Sequence, residues 1–283
     1  MIPQDSMPAS AGDTAPAGTL GADDARVDGL VVVVLTRNEE RRLAHCLQSA
    51  RFAERIVVVD SGSTDGTVAI ARAHGAQVER HDDWQGFGVQ RTRSLAYCQG
   101  ARYLFFLDAD EVVSPALAAE IRAVVAAGEA AAWRLEWVQM AFGRTLTGLV
   151  SAPGMPRLIH AASLLGFEGA VHEHALLRPG TPEHRLREKL HHHSYDSVQT
   201  SLQKLRQYAL LGAAKRAAQG QRGGVLRGLA SALALFVRVY LLRGAFRHGG
   251  PGFLYCYVLA QECFFRYAAL EYDRPWLDDK VDR

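Results

Sequence analysis

The sequence is short of several things, and each shortage closes off a class of protein. Four cysteines in 283 residues, Cys46, Cys98, Cys256 and Cys263, form neither a C-x-x-C pair nor a disulfide scaffold, which points to a reducing cytoplasm. Uncharged apolar runs stop at ten residues (Gly228 to Val237) and fourteen (His248 to Gln261). Both fall below the roughly 20 that a spanning helix needs, which argues against a polytopic membrane protein. Net charge is nearly absent, +2 from 32 basic and 30 acidic residues, and that argues against nucleic acid as the main partner. Met1 to Asp28 has Arg26 as its one basic residue and no apolar stretch. It lacks the basic start and apolar stretch of a signal peptide and is expected to be a flexible lead-in.

What is present is an ordinary globular composition, 48% hydrophobic and 22% charged, long enough to bury a substantial core. Order starts at Leu30-Val-Val-Val-Val-Leu35, a continuous β-branched run that predicts a strand buried on both faces. Asn38 is read as the cap of a helix carrying Leu43, Cys46, Leu47 and Ala50, with Glu39 and Glu40 in its first turn. Further strands are expected at Ile56–Val59, Ala76–Arg80 and Tyr103–Leu107. Ser61 to Gly66 makes a polar turn into a helix, and Ser114-Pro115 opens another. This alternation predicts an α/β fold with a parallel sheet covered on both faces, whose ligands bind outside the carboxyl ends of the strands. Asn38, Asp60, Asp108 and Asp110 all fall at such ends. Ala131 to about Leu190 is irregular. From Ser197 the chain is helical, with a stripe at Val198, Leu202, Leu205 and Ala209, a second helix at Val225–Leu242 and a third at Phe253–Tyr272.

Asp108-Ala109-Asp110 after an apolar strand is the sharpest chemical feature. Two carboxylates so spaced suit a hard divalent cation, Mg²⁺ or Mn²⁺, that also holds substrate phosphates. The same residues fit the D-x-D-x-[T/V] pattern of haloacid-dehalogenase-type phosphatases, in which Asp108 would be the nucleophile. That family needs the motif on its first strand, whereas about 80 ordered residues precede it here.

Leu35-Thr-Arg-Asn-Glu-Glu40, Val59-Asp-Ser-Gly-Ser-Thr-Asp65 and Leu107-Asp-Ala-Asp-Glu111 resemble, in order and spacing, three motifs of family 2 inverting glycosyltransferases. Asp83–Arg91, Val171-His172-Glu173 and His192-His193-Ser194-Tyr195-Asp196 resemble the branch that builds bacterial lipopolysaccharide core. The resemblance spans Leu30 to Tyr272. It implies a GT-A (Rossmann-like) nucleotide-sugar-binding domain, a UDP-sugar donor and a lipid-linked saccharide acceptor. A nucleotide-sugar-binding module without turnover shares these motifs. By the resemblance Thr36, Asn38, Glu39 and Asp60 lie at the nucleotide, Asp110 is the principal metal ligand, and Asp108 lies at the ribose or the metal. Relatives carry two adjacent acids where this chain has Asp60-Ser61. His192 is a metal or diphosphate contact, or part of a solvated cluster with His191 and His193. Glu173 is the candidate general base, since an inverting transfer needs one carboxylate to take the acceptor's proton. Arg91 and Arg157 have the forked donors that suit a contact to the diphosphate or to the acceptor. Asp65 is read as a helix cap, and Trp84 with Phe87 as a sugar platform or a core anchor.

The expected organisation is a lead-in over 1–28, the catalytic domain over 29–195, a helical region over 196–272 and a tail over 273–283. The neutral sum hides a lead-in with one base and five acids and a helical region with ten bases and three acids. Arg227 and Arg238 lie three helical turns apart, on one face. Short apolar helices edged with arginine fit either a peripheral position on the inner face of the cytoplasmic membrane or packing on the catalytic domain.

Overall fold

The computed structural model describes residues 26–151, 153–169 and 173–277. The lead-in expected over 1–28 lies almost wholly outside them, as do the end of the tail and Val171-His172. The first half alternates as its pattern requires: β1 (Val27–Thr36), α1 (Leu43–Ser49), β2 (Ala53–Asp60), α2 (Thr67–Ala73), β3 (Gln77–Arg80), α3 (Phe87–Ser94), β4 (Tyr103–Asp108), β5 (Glu111–Val112) and α4 (Pro115–Ala127). The Ser114 hydroxyl caps α4 by accepting from the Leu117 N–H at 3.1 Å, and Gly128 ends it in the left-handed conformation.

β6 (Ala132–Arg134), β7 (Trp137–Ala141), β8 (Arg144–Val150), β9 (Pro156–His160), β10 (Leu164–Glu168), β11 (His174–Leu177), β12 (Glu183–Arg185) and β13 (Leu190–Tyr195) follow. Seven strands form one sheet in the order β12-β6-β9-β4-β1-β2-β3. β4, β1, β2 and β3 run parallel, and β9 is antiparallel to both β4 and β6. Alternate residues of the buried strands face opposite ways. Val32, Val34 and Phe105 meet α1 and α4 on one side, while Val31, Val33 and Phe106 meet Leu164, Phe167 and Phe87 on the other. Both faces are therefore covered, the second by α3 and the β10–β11 hairpin.

A second sheet, β5-β13-β7-β8, starts from the short strand that leaves Asp110. Helices α5 (Val198–Ala218), α6 (Val225–Phe236) and α7 (Gly249–Tyr272) come last, and a π-helical turn over Val237–Leu242 prolongs α6. Their cluster joins Ala141, Leu146 and Tyr195 to Val239, Cys256 and Val258, so the helices pack on the second sheet. The stripe expected on α5 is rotated: Ala209 is buried, but Val198 and Leu202 are 57% and 55% exposed. Ser201, Ala213 and Ala214 are buried instead, because α7 approaches the small residues of α5 closely.

Candidate active site

Parallel pairing sets Thr36 beside Asp60 at the carboxyl ends of β1 and β2. Asp60 is fully buried. Its carboxylate accepts from the N–H groups of Gly62 at 3.2 Å and Ser63 at 2.9 Å and from the Ser63 hydroxyl, which shapes the turn that follows. The Thr36 hydroxyl is buried with no partner, an orphaned polar atom at a strand end. Asn38 does not cap α1, as the sequence suggested. The residue before α1 is Arg42, without a side-chain cap. Asn38 instead adopts φ 55°, and its Oδ1 accepts from the Thr64 N–H at 2.9 Å while its own N–H donates to Ser63 Oγ at 2.8 Å. An Asn tolerates this left-handed backbone, and the two strand-end loops become one structure. Asp65 does hold the start of α2, accepting from the Thr67 N–H at 3.0 Å. The Glu39 N–H reaches Thr67 Oγ1 at 2.8 Å. Burial and then the neighbouring Asp110 push the Glu39 carboxyl up.

At the end of β4 the arginines and acids converge. Arg91 is fully buried in α3 and donates from Nη2 to Asp108 Oδ1 at 2.8 Å and from Nε to Glu173 Oε1 at 3.1 Å. Gly88, one turn earlier, makes this possible, since a Cβ there would lie 2.5 Å from the Gly169 carbonyl. The close approach carries the Glu173 segment to Arg91. Arg157 Nη2 reaches Asp108 Oδ2 at 3.1 Å and Glu111 Oε1 at 3.2 Å. Burial alone would raise Asp108, but Arg157 and Arg91 outweigh it and hold the carboxyl well below its usual range. Glu111 is pushed up to about 7 by burial, only partly offset by Arg157. With both its oxygens held by guanidinium groups, Asp108 is unsuited to be a phosphatase nucleophile, and a DxD motif on the fourth strand points the same way.

Asp110 faces a different set. Its Oδ2 lies 3.5 Å from His192 Nε2 and 3.3 Å from Lys204 Nζ, and the His193 N–H donates to its backbone carbonyl at 2.8 Å. Burial would raise Asp110, yet His192, Lys204 and Arg42 hold it far down. His192 in turn is raised, because Asp110 outweighs the burial that would lower it. Among the described residues no three metal-ligating side chains gather. A carboxylate and an imidazole facing each other do fit a divalent ion that takes its remaining ligands from water and phosphate. Asp110 and His192 therefore form the candidate ion-binding pair, whereas Asp108 is turned to the arginines.

Glu111, Lys204 and the Arg42–Asp196 ion pair were not picked out from the sequence. An acid directly after D-x-D was the one available signal for Glu111. Trp84 stands edge-on to Phe87 at 5.1 Å, and Phe87 packs on the core.

Residues 31–140 match the family model described as Glycosyl transferase family 2. That segment is similar to family 2 glycosyltransferases, and the match covers less than half of the chain. The chain is similar to the lipopolysaccharide core biosynthesis glycosyltransferase LpsC of Rhizobium meliloti, 25% identical over 266 residues that span 89% of this chain and 97% of that protein. An uncharacterized glycosyltransferase of Rickettsia conorii is 36% identical over 94 residues, 33% of either chain. Glucosyl-3-phosphoglycerate synthase from Mycobacterium tuberculosis, solved with Mn²⁺, UDP and glucosyl-3-phosphoglycerate, is 18% identical with a TM-score of 0.41, covering 68% of this chain and 81% of that one. The matched segment is the alternating α/β part of the fold, and the D-x-D acids at the end of β4 lie inside it.

Outside that segment, Val225–Leu242 is long and apolar enough to cross a membrane by length and composition, with a mean hydropathy of 1.8 and 17% of it buried. Leu226, Leu229, Leu233 and Leu241 stand 83%, 53%, 66% and 53% exposed at helical spacing, and Arg227 and Arg238 are exposed beside them.

Proposed function

We propose that this chain is a metal-assisted, inverting hexosyltransferase that moves a sugar, glucose in the first instance, from a UDP-sugar to a lipid-linked saccharide such as lipopolysaccharide core. The observation that carries the reading is the junction Glu173–Arg91–Asp108–Arg157 beside the Asp110–His192 pair. Thr36, Asn38, Glu39 and Asp60 form the nucleotide side, the orphaned Thr36 hydroxyl being free to meet a ligand. Asp110 with His192, and Asp108 nearby, would hold Mg²⁺ or Mn²⁺, which would supply charge to stabilise the departing diphosphate.

Glu173 is the general base. Arg91 engages one of its oxygens and so orients the carboxylate, leaving Oε2 to take the acceptor hydroxyl's proton as the oxygen attacks the anomeric carbon opposite the leaving group. Arg91 and Arg157 bring fixed positive charge toward the donor. The exposed leucines of α6, the arginines at their edge and the basic helical region support a peripheral position on the inner face of the cytoplasmic membrane, where a lipid-linked acceptor is presented. The likeness to LpsC supports that class of acceptor.

The reading is tested by incubating the purified protein with a panel of nucleotide sugars, a divalent cation and a lipid-linked oligosaccharide. Metal-dependent transfer from one UDP-hexose is expected. Glu173→Gln should lower kcat by about a hundredfold or more while UDP binding stays within a few-fold. UDP binding without turnover on any acceptor would instead mark a silent nucleotide-sugar module.

A further inference from the structure

The Asp110 carboxylate already has a cation, and that cation comes from the helical region. Lys204 leaves the second turn of α5, and its Nζ stands 3.3 Å from Asp110 Oδ2, the same oxygen that faces His192 Nε2 at 3.5 Å. The side chains are shielded, 19% exposed for Lys204 and 13% for Asp110. The amine also lies 5.9 Å from the centroid of the Tyr195 ring. The helix that carries it is fixed at its start. Ser197 caps α5 by accepting from the Thr200 N–H at 3.1 Å, and Asp196, one residue earlier, pairs with Arg42.

We propose that Lys204 is a tethered stand-in for the divalent cation. It neutralises Asp110 while the metal is absent, and it is displaced toward the donor diphosphate when the metal takes that carboxylate. The inference deepens the proposed transferase reading and rests on it. An ion bound to Asp110 Oδ2 sits about 2.1 Å from that oxygen. An ammonium at hydrogen-bond distance from the same oxygen would then meet a double positive charge inside a shielded site, so the two exclude each other. A lysine suits the exchange. Its charge is a compact ammonium on a flexible four-carbon stem, able to leave one oxygen for another without moving α5. The diphosphate that arrives with the metal is the nearest new anion. Metal loading and leaving-group binding are then coupled through one side chain, and the helical region contributes directly to the transferase site.

The test is calorimetric titration of Mn²⁺ into the nucleotide-free full chain, followed by UDP titration at saturating Mn²⁺. Lys204→Met should bind Mn²⁺ at least about tenfold more tightly than wild type, because no partly buried ion pair has to be broken first. Lys204→Arg keeps the charge and should retain the weaker wild-type affinity. At saturating Mn²⁺, Lys204→Met should bind UDP about tenfold more weakly. Unchanged Mn²⁺ affinity in Lys204→Met, with Asp110→Asn having lost Mn²⁺ binding, would overturn the stand-in role and leave the metal site standing. Equal tightening in Lys204→Met and Lys204→Arg would trace the effect to a loosened helix and also overturn it. Unchanged UDP affinity would refute the hand-over. Mn²⁺ binding that survives Asp110→Asn would sink the metal-site reading itself, and the stand-in role with it.

Discussion

Arg91→Met removes the side chain on which the two halves of the site depend. Arg91 is fully buried and bridges Asp108 at 2.8 Å and Glu173 at 3.1 Å. At about 4 Å between charge centres and an effective dielectric near 20, each pair has a gross attraction of roughly 4 kcal/mol. Removing one partner of a buried pair costs about 3–5 kcal/mol, mostly because the other charge is left behind. Asp108 keeps Arg157 at 3.1 Å, and Glu173 is partly open to water, so the loss should fall near the lower limit, about 3 kcal/mol. For a chain of this size, with a urea slope of about 3 kcal/mol/M, the unfolding midpoint should drop by about 1 M at pH 7. Arg91→Lys restores the charge without the fork that spans two carboxylates, and it should recover less than half.

The pH dependence has a definite sign. Asp108 is held below its ordinary value despite its burial, through Arg157 and Arg91. The stability it contributes is therefore fully present above about pH 4 and is lost as the pH falls through the depressed folded value. The gap between wild type and Arg91→Met should narrow on acidification. A midpoint shift under about 0.3 M at pH 7, or a gap that does not narrow as the pH falls below about 4, would refute the assignment of Arg91 as the clamp.

Three further outcomes are expected. Glu111, pushed up to about 7 by burial against the pull of Arg157, contributes stability that is complete at low pH and lost as the pH rises through 7. A carboxyl titrating near neutrality should appear in the infrared spectrum and vanish in Glu111→Gln. Asn38→Ala loses the Thr64 hydrogen bond and puts a β-carbon residue at φ 55°. It should lower the unfolding free energy by about 1–2 kcal/mol, while Asn38→Gly, free of the backbone strain, should lose less. Leu226→Glu with Leu233→Glu alters side chains 83% and 66% exposed, so melting should hold while binding to anionic vesicles in a flotation assay falls several-fold. Undiminished flotation would remove α6 from the membrane contact.

The parts of this fold that could be read directly were those with one dominant cause. β1, β2 and β4 are buried on both faces, and such burial leaves uninterrupted apolar runs. Ser114-Pro115 marks the start of α4 because caps are local. Residues 131–190 gave no such signal. Their strands are short, down to three residues in β6 and β12, so periodicity never accumulates. Asn38 was misread for a related reason. A polar residue before acids resembles a cap, but the turn at Ser63-Thr64, 25 residues away, claims it. The acids at the strand ends were visible because topology alone puts them there. The Arg91–Glu173 bridge spans 82 residues, and only the fold could reveal it.

The D-x-D motif also spans a seam. Asp108 ends β4 in the seven-stranded sheet, while Glu111, on the far side of Asp110, pairs with His192 in the four-stranded one. Ala109, between the two acids, is 4% exposed and belongs to the core cluster under α1 and α4. The distance between the arginine-held acid and the acid beside His192 is thus not a property of three residues. It depends on how the two sheets meet, with a buried methyl group between the acids. A valine at 109 would touch neither substrate nor ion, yet it would reset that distance like a thicker shim in a bearing.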